Sequence, residues 1–184
     1  MKRAAFALAL VAQAGVAAAQ PPAPPPACLA PAEFTALATY TLPGAVTAIA
    51  ERCTATLPAD AFLRTGAGDL AARYRLSSEA AWPGAKAAFL KVSAAVDPAS
   101  AGLIGAMPDQ ALRGLVGSLF SGTIAAHVRL DDCGTIDRAL ALLAPLPPEA
   151  TAELIGVAVG LGTRGGPAHI GQITICSKPQ EPHP

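Results

Sequence analysis

The amino-acid sequence predicts an all-α protein: a single compact bundle of about seven helices, closed by two disulfides, with short or no β structure. Three observations lead there. Apolar residues recur at the 3.6-residue period of a helix through most of the chain. Strand-like alternation is confined to Ile173, Thr174 and Ile175, a run too short to carry a sheet alone. Prolines and small polar steps divide the periodic runs, which suits helices joined by tight connections.

The first 20 residues are set aside before any element is placed. Lys2 and Arg3 form a basic start, Ala4 to Ala12 is uninterrupted apolar sequence, and Val16 to Gln20 supplies a small-residue cleavage site. Together these read as a secretory signal peptide cleaved near Ala19 or Gln20. Its apolar core is shorter than the roughly 20 residues of a membrane span. The longest uncharged runs downstream, Gly114 to Val128 and Leu154 to Thr163, are glycine-rich and make poor spans. Residues 21–27 form a proline-rich leader, which favours extended polyproline II structure. Lipidation at Cys28 is disfavoured, because Pro25 and Pro26 stand where a lipobox carries a leucine-like and a small residue.

The folded domain is expected over residues 28–177, with a disordered tail at 178–184. Ala30 to Thr39 gives a first short helix, with Phe34, Leu37 and Ala38 on one side. Pro43 suits the first turn of a second, whose face is Val46, Ile49, Ala50, Cys53 and Leu57. Pro58 to Leu76 is broken at Gly66 and Gly68, and its second part carries Leu70 and Tyr74. After Ser77 and Ser78 comes a stripe of Trp82, Ala85, Phe89, Val92 and Val96. Asp97 caps a short helix ending near Gly105. Pro108 to Val128 is the clearest amphipathic helix, with Leu112, Leu115, Val116, Leu119, Phe120 and Ile124 on one face. Asp132 is placed to cap Cys133 to Ala144, which carries Ile136, Leu140 and Leu143. Pro148 opens the last helix, to about Leu161, whose core face is read as Leu154, Ile155, Ala158 and Leu161.

Cys28, Cys53, Cys133 and Cys176 are even in number and include no C-x-x-C, so in an oxidising compartment they read as two structural disulfides. Folding the first two helices back as a hairpin brings Cys28 beside Cys53, which leaves Cys133 for Cys176. The first bridge would close about 25 residues and contribute about 3 kcal/mol.

Charge narrows the function classes. Without Lys2 and Arg3 the chain keeps 11 basic residues against 13 acidic, so its net charge is 11 − 13 = −2. The basic residues are scattered singly or in pairs, without the patch that follows a nucleic-acid backbone. Apolar residues make up 52 % and charged ones 14 %, enough for one well-buried core in a chain of this length.

Motifs for chemistry are sparse. Gly160, Gly162 and Gly165 match G-x-G-x-x-G, but a helix precedes them and a proline-containing loop follows, so they read as a helix end. Gly156 and Gly160 read as a point of close helix approach. His127 with Asp131 and Asp132 is the local cluster that joins a histidine to carboxylates, and it is the candidate catalytic group, with His127 as base. The competing reading gives His127 and Arg129 to the helix C-terminus and Asp132 to the next cap. His169 and His183 are isolated, and no metal or cofactor is expected. No G-x-S-x-G or H-E-x-x-H occurs, and Glu33, Glu51, Asp60, Asp69 and Glu79 lie singly on helix surfaces or caps.

Three functions follow in order of preference. The first is a periplasmic or secreted, non-catalytic module that binds another protein or serves the envelope. The second is an apolar-ligand or lipid-binding module, and the third an enzyme with an unrecognised site.

Overall fold

The computed structural model describes residues 28–162, 168–170 and 173–176. The expected signal peptide, leader and tail lie outside these residues, as does Gly165. Among the described residues seven α-helices form the molecule: α1 (Pro31–Cys53), α2 (Phe62–Thr65), α3 (Ala67–Val96), α4 (Pro98–Gly105), α5 (Asp109–His127), α6 (Cys133–Leu143) and α7 (Pro148–Gly162). A 3-10 turn, Leu130–Asp132, leads into α6. The all-α bundle is thus as the periodicity predicts.

Three short strands add a small sheet in the order β1-β3-β2, from β1 (Cys28–Leu29), β2 (Ala168–Ile170) and β3 (Ile173–Ile175). β3 is the alternating stretch read from sequence. It runs parallel to β1, with Leu29 opposite Ile175, and antiparallel to β2. Leu29 and Ile175 are both buried, so the sheet closes one end of the bundle.

The axis of the fold is the antiparallel pair α1 and α3. Its direction is fixed by Lys91 Nζ meeting Glu33 Oε2 at 2.7 Å near one end and by Ser78 Oγ donating to the Tyr40 carbonyl at 2.7 Å further along. Two cores lie along this pair. One packs the C-terminal half of α1 (Leu42, Val46, Cys53) against Leu63, Leu70, Tyr74, Cys133 and Ala152. The other packs the N-terminal half (Phe34, Leu37) against Trp82, Ala85, Phe89, Leu112 and Val116, with Leu29 and Ile175 at its edge.

Both long helices run through positions read from sequence as boundaries, Pro43 in α1 and Ser77 and Ser78 in α3, and α3 also contains Pro83. An interior proline removes one backbone hydrogen bond and crowds the preceding turn, at about 3 kcal/mol in an isolated helix. Here burial of Phe34, Leu37, Leu42 and Val46 along the same helix outweighs that cost. Pro43 leaves the Thr39 carbonyl without its helical donor, and the neighbouring Tyr40 carbonyl receives the Ser78 hydroxyl from α3. Ser78, expected as a break, is therefore buried and joins the two helices. Each proline is followed by glycine, and Gly84 sits where α1 crosses: a Cβ there would stand 2.9 Å from Ala36 Cβ.

Continuity of α1 overturns the predicted disulfide pairing. Cys28 and Cys53 lie beyond and at opposite ends of a 23-residue helix, which rises about 35 Å. The bridges are Cys28–Cys176, with Cα atoms 5.0 Å apart, and Cys53–Cys133, 5.6 Å apart. The hairpin geometry that favoured Cys28–Cys53 and Cys133–Cys176 required a turn at Pro43 that the chain does not make.

Caps follow the sequence in part. Asp97 accepts from the backbone N–H groups of Ala99 and Ser100 and so caps α4. Glu33 accepts from the Ala30 N–H at 2.7 Å across the first turn of α1. Asp132 makes no side-chain cap to α6, because the 3-10 turn gives it helical dihedrals. The carboxylate of Asp137, on α6, instead accepts from the Leu63 N–H of α2 at 2.7 Å.

One polar atom is left over. Thr39 is buried, and its Oγ1 has no hydrogen-bond partner among the described residues. Thr35, Thr41 and Thr47, on the same helix, and Thr54 at its C-terminal cap each donate back to a carbonyl one turn earlier. Thr39→Val keeps the shape and removes the stranded hydroxyl, so it is expected to raise stability by about 1 kcal/mol in urea denaturation. A loss of stability would show that this hydroxyl has a partner after all.

Candidate functional site

The cluster of histidine and carboxylates forms at the junction of α5 and α6. His127 ends α5 and is exposed, with Nδ1 2.8 Å from the Thr123 carbonyl of its own helix. Asp131 lies 3.8 Å from Arg129, both almost fully in solvent. Asp132 is exposed in the 3-10 turn. No hydrogen bond or ion pair joins His127 to either aspartate among the described residues. The helix-end arrangement of His127 corresponds to complementing the α5 C-terminus. Among the described residues there is also no group of three or more His, Cys, Asp or Glu placed to hold a metal. His169 is in β2.

A denser polar cluster stands where α1, α3 and α5 meet, and sequence reading did not assemble it. Its centre is the buried ring of Trp82, whose indole N–H reaches both carboxylate oxygens of Asp109 at 3.0 Å. Asp109 also receives Lys86 Nζ at 3.0 Å and Arg113 Nε at 2.9 Å. Arg113 reaches Glu79 at 2.5 Å and lies over the Trp82 ring, 4.6 Å from its centre. Tyr40 packs tilted against that ring, centroids 4.7 Å apart, and donates its hydroxyl to the Arg113 carbonyl. The signal was available in part: Asp109 and Arg113 are four apart on one predicted helix. Trp82 and Glu79 come from a distant element, which one-dimensional periodicity does not connect.

Electrostatics agree with a structural role for this cluster. Hydrogen bonds from Arg113, Lys86 and Trp82, in that order, lower the Asp109 carboxyl to about 2. Burial pushes the Tyr40 hydroxyl up. The hydrogen bond from Lys91 lowers Glu33, in the first turn of α1. These contacts clamp α1, α3 and α5 together.

Asp109 gives this end of the molecule an acid dependence. Its folded pKa lies below the ordinary aspartate value near 3.8. The ionised form is therefore preferred in the folded state, and its contribution is complete above about pH 4 and is lost as pH falls through about 2. Trp82 is the one tryptophan in the chain, so its fluorescence reports the clamp. The expected result is a change in emission between pH 4 and pH 2, which Asp109→Asn removes. An identical acid profile in D109N would overturn the assignment.

An open groove of about 310 Å³ lies between α1, α2 and α3, lined by Thr47, Glu51, Thr54, Leu63, Arg64 and Gly68 among others. Arg64 is already engaged there, donating to the Thr54 and Leu57 carbonyls at the end of α1.

The surface of α7 differs most from the sequence reading. Leu154 and Ile155, expected in the core, are 47 % and 36 % exposed, and Ala158 is also exposed. Among the described side chains the face turned inward includes Pro148, Thr151, Ala152 and Gly156. Ala152 is fully buried in the first core, and a Cβ on Gly156 would meet the Phe34 ring at 3.3 Å. Small residues let α7 lie close on α1, as expected for Gly156, and this rotates the bulky residues outward. Thr151 is held by the Tyr74 hydroxyl at 3.1 Å, which also donates to the Leu146 carbonyl and fixes the rotation. Val157, half exposed, extends the outward stripe from Leu154.

Other large apolar side chains in solvent include Leu103 on α4, Leu142 on α6 and Leu76 on α3. No described helix is long and apolar enough to cross a membrane. Comparison of the chain with protein-family models, with curated proteins and with solved structures finds no match.

Proposed function

We propose that the chain is an exported, non-catalytic helical module that binds another protein through the outward face of α7. The observation that carries this reading is the rotation of α7, which packs Ala152 and Gly156 inward while leaving Leu154 and Val157 half exposed. A helix that only capped the core would bury its large residues at similar backbone cost, because burying a leucine is worth about 2 kcal/mol. The basic start at Lys2 and Arg3, the apolar run Ala4 to Ala12 and two disulfides support export to an oxidising compartment.

The test uses the full chain expressed from Met1 with a photo-crosslinking amino acid at Val157, Leu142 or Leu103. Protein adducts in the envelope or medium at one of these positions are the expected result. Absence of protein adducts at all three would overturn the reading. A second reading, an apolar ligand, rests on α4: Leu103 is 76 % exposed, and residues 98–108 carry no charged side chain. Native mass spectrometry of the same material distinguishes it, since a lipid would appear as a bound mass on the disulfide-bonded chain.

A further inference from the structure

The α6–α7 hairpin is acidic as well as apolar. From Cys133 to Gly162 it contains Asp137, Glu149 and Glu153 against Arg138, so 1 − 3 = −2. Arg73, from α3, approaches the hairpin turn but donates to the Ala144 carbonyl. On α7 itself Glu149 and Glu153 are the charged side chains of the described helix. They are exposed, four residues apart, and neither has an ion-pair partner among the described residues. At helical spacing, Glu149 and Glu153 form a ridge that continues into Val157, and Leu154 lies beside it. The result is an apolar stripe edged on one side by two unneutralised carboxylates.

Resting on the protein-binding reading above, we infer that the partner presents a basic amphipathic helix, with apolar residues against Leu154 and Val157 and Lys or Arg against Glu149 and Glu153. Charge selects among the occupants of this face. A second copy meeting it across a two-fold axis sets Glu149 and Glu153 of each copy against those of the other, which like charges oppose. An anionic lipid surface is repelled for the same reason. A helix with a basic flank instead relieves the i,i+4 repulsion between Glu149 and Glu153 and covers the exposed stripe.

The probe is a synthetic 18-residue peptide of leucine and lysine at helical spacing, and its control replaces every lysine with glutamate. Binding of each to the full oxidised protein is measured by fluorescence anisotropy in 50 mM and 500 mM salt. The expected result is saturable binding of the lysine peptide, at least tenfold weaker in high salt, and none of the glutamate peptide. E149Q/E153Q is expected to weaken binding about tenfold, and Leu154→Ser with Val157→Ser to abolish it. Circular dichroism checks that these surface variants fold.

Equal binding of both peptides, or binding indifferent to both sets of variants, overturns the inference. So does dimerisation of the protein that L154S/V157S abolishes, or stronger binding to vesicles containing phosphatidylglycerol than to the peptide. The crosslinking outcomes separate this inference from the reading beneath it. Adducts at Leu103 or Leu142 with none at Val157 leave protein binding intact and sink the α7 partner, whereas no adducts anywhere sink both.

Discussion

Replacing both Cys53 and Cys133 with alanine is expected to destabilise the protein by about 4 kcal/mol, on the order of the whole stability of many domains of this size. The bridge closes a segment of 80 residues, and restricting a loop of that length in the unfolded chain accounts for about 4.5 kcal/mol in the entropic description. Its sulfurs also occupy core volume, since Cys53 is fully buried and Cys133 nearly so. The effect should concentrate on α6. That helix buries Cys133 outright, while Ile136 and Leu140 are covered only in part. Its remaining ties include the Asp137 carboxylate on the Leu63 N–H. Urea denaturation gives the size of the loss. Hydrogen exchange should find the amides of residues 133–143 faster in the variant while those of α3 keep their protection. A change below about 1 kcal/mol, or uniform acceleration throughout, would contradict this account.

Trp82→Ala is expected to cost about 4 kcal/mol, within the range for removing a buried aromatic ring. The ring is 3 % exposed and touches both sides of the interface between α1, α3 and α5. Its removal strips Tyr40 of a packed neighbour and Arg113 of the face it lies over, contributions of about 1 kcal/mol each. Trp82→Phe separates volume from hydrogen bonding, because phenylalanine keeps an aromatic ring but cannot donate to Asp109. That variant should lose about 1–2 kcal/mol. In combination with Asp109→Asn, the two losses should fall short of additive, since both remove the same contact. Strict additivity would mean that the indole N–H and the carboxylate do not act together.

The sequence was informative about faces and poor about continuity. Phe34, Leu37, Val46, Cys53, Leu70, Tyr74, Leu112 and Val116 are buried where helical spacing puts them. That spacing is a local property, visible within a few turns. Pro43 and Ser78 read as boundaries because their local preferences disfavour helix, whereas the packing that keeps both helices continuous is long-range: the hydrogen bond from Ser78 to the Tyr40 carbonyl spans 38 residues. A break at Pro43 implies a Cys28–Cys53 bridge, and the continuous α1 excludes both. The rotation of α7 was hidden for a related reason. Leu154 and Ile155 fit an amphipathic face as well as Ala152 and Gly156 do, and hydrophobicity alone prefers the larger pair. What decides is the Phe34 ring across the interface, which leaves room for a glycine and little more. The Trp82 cluster was half visible, through the i,i+4 pair of Asp109 and Arg113.

The two disulfides are nested: Cys53–Cys133 lies wholly inside the span of Cys28–Cys176. A chain that crosses a membrane N-terminus first delivers Cys28 to the oxidising side long before Cys176, with Cys53 the next thiol to arrive. An oxidant acting in order of emergence would therefore join Cys28 to Cys53, a pair that α1 then holds at its two ends. Maturation of an exported copy thus depends on delayed oxidation or on thiol–disulfide exchange that undoes the consecutive bridge. In a cell stripped of disulfide-isomerising activity, the consecutively bridged form should accumulate at the expense of the native one.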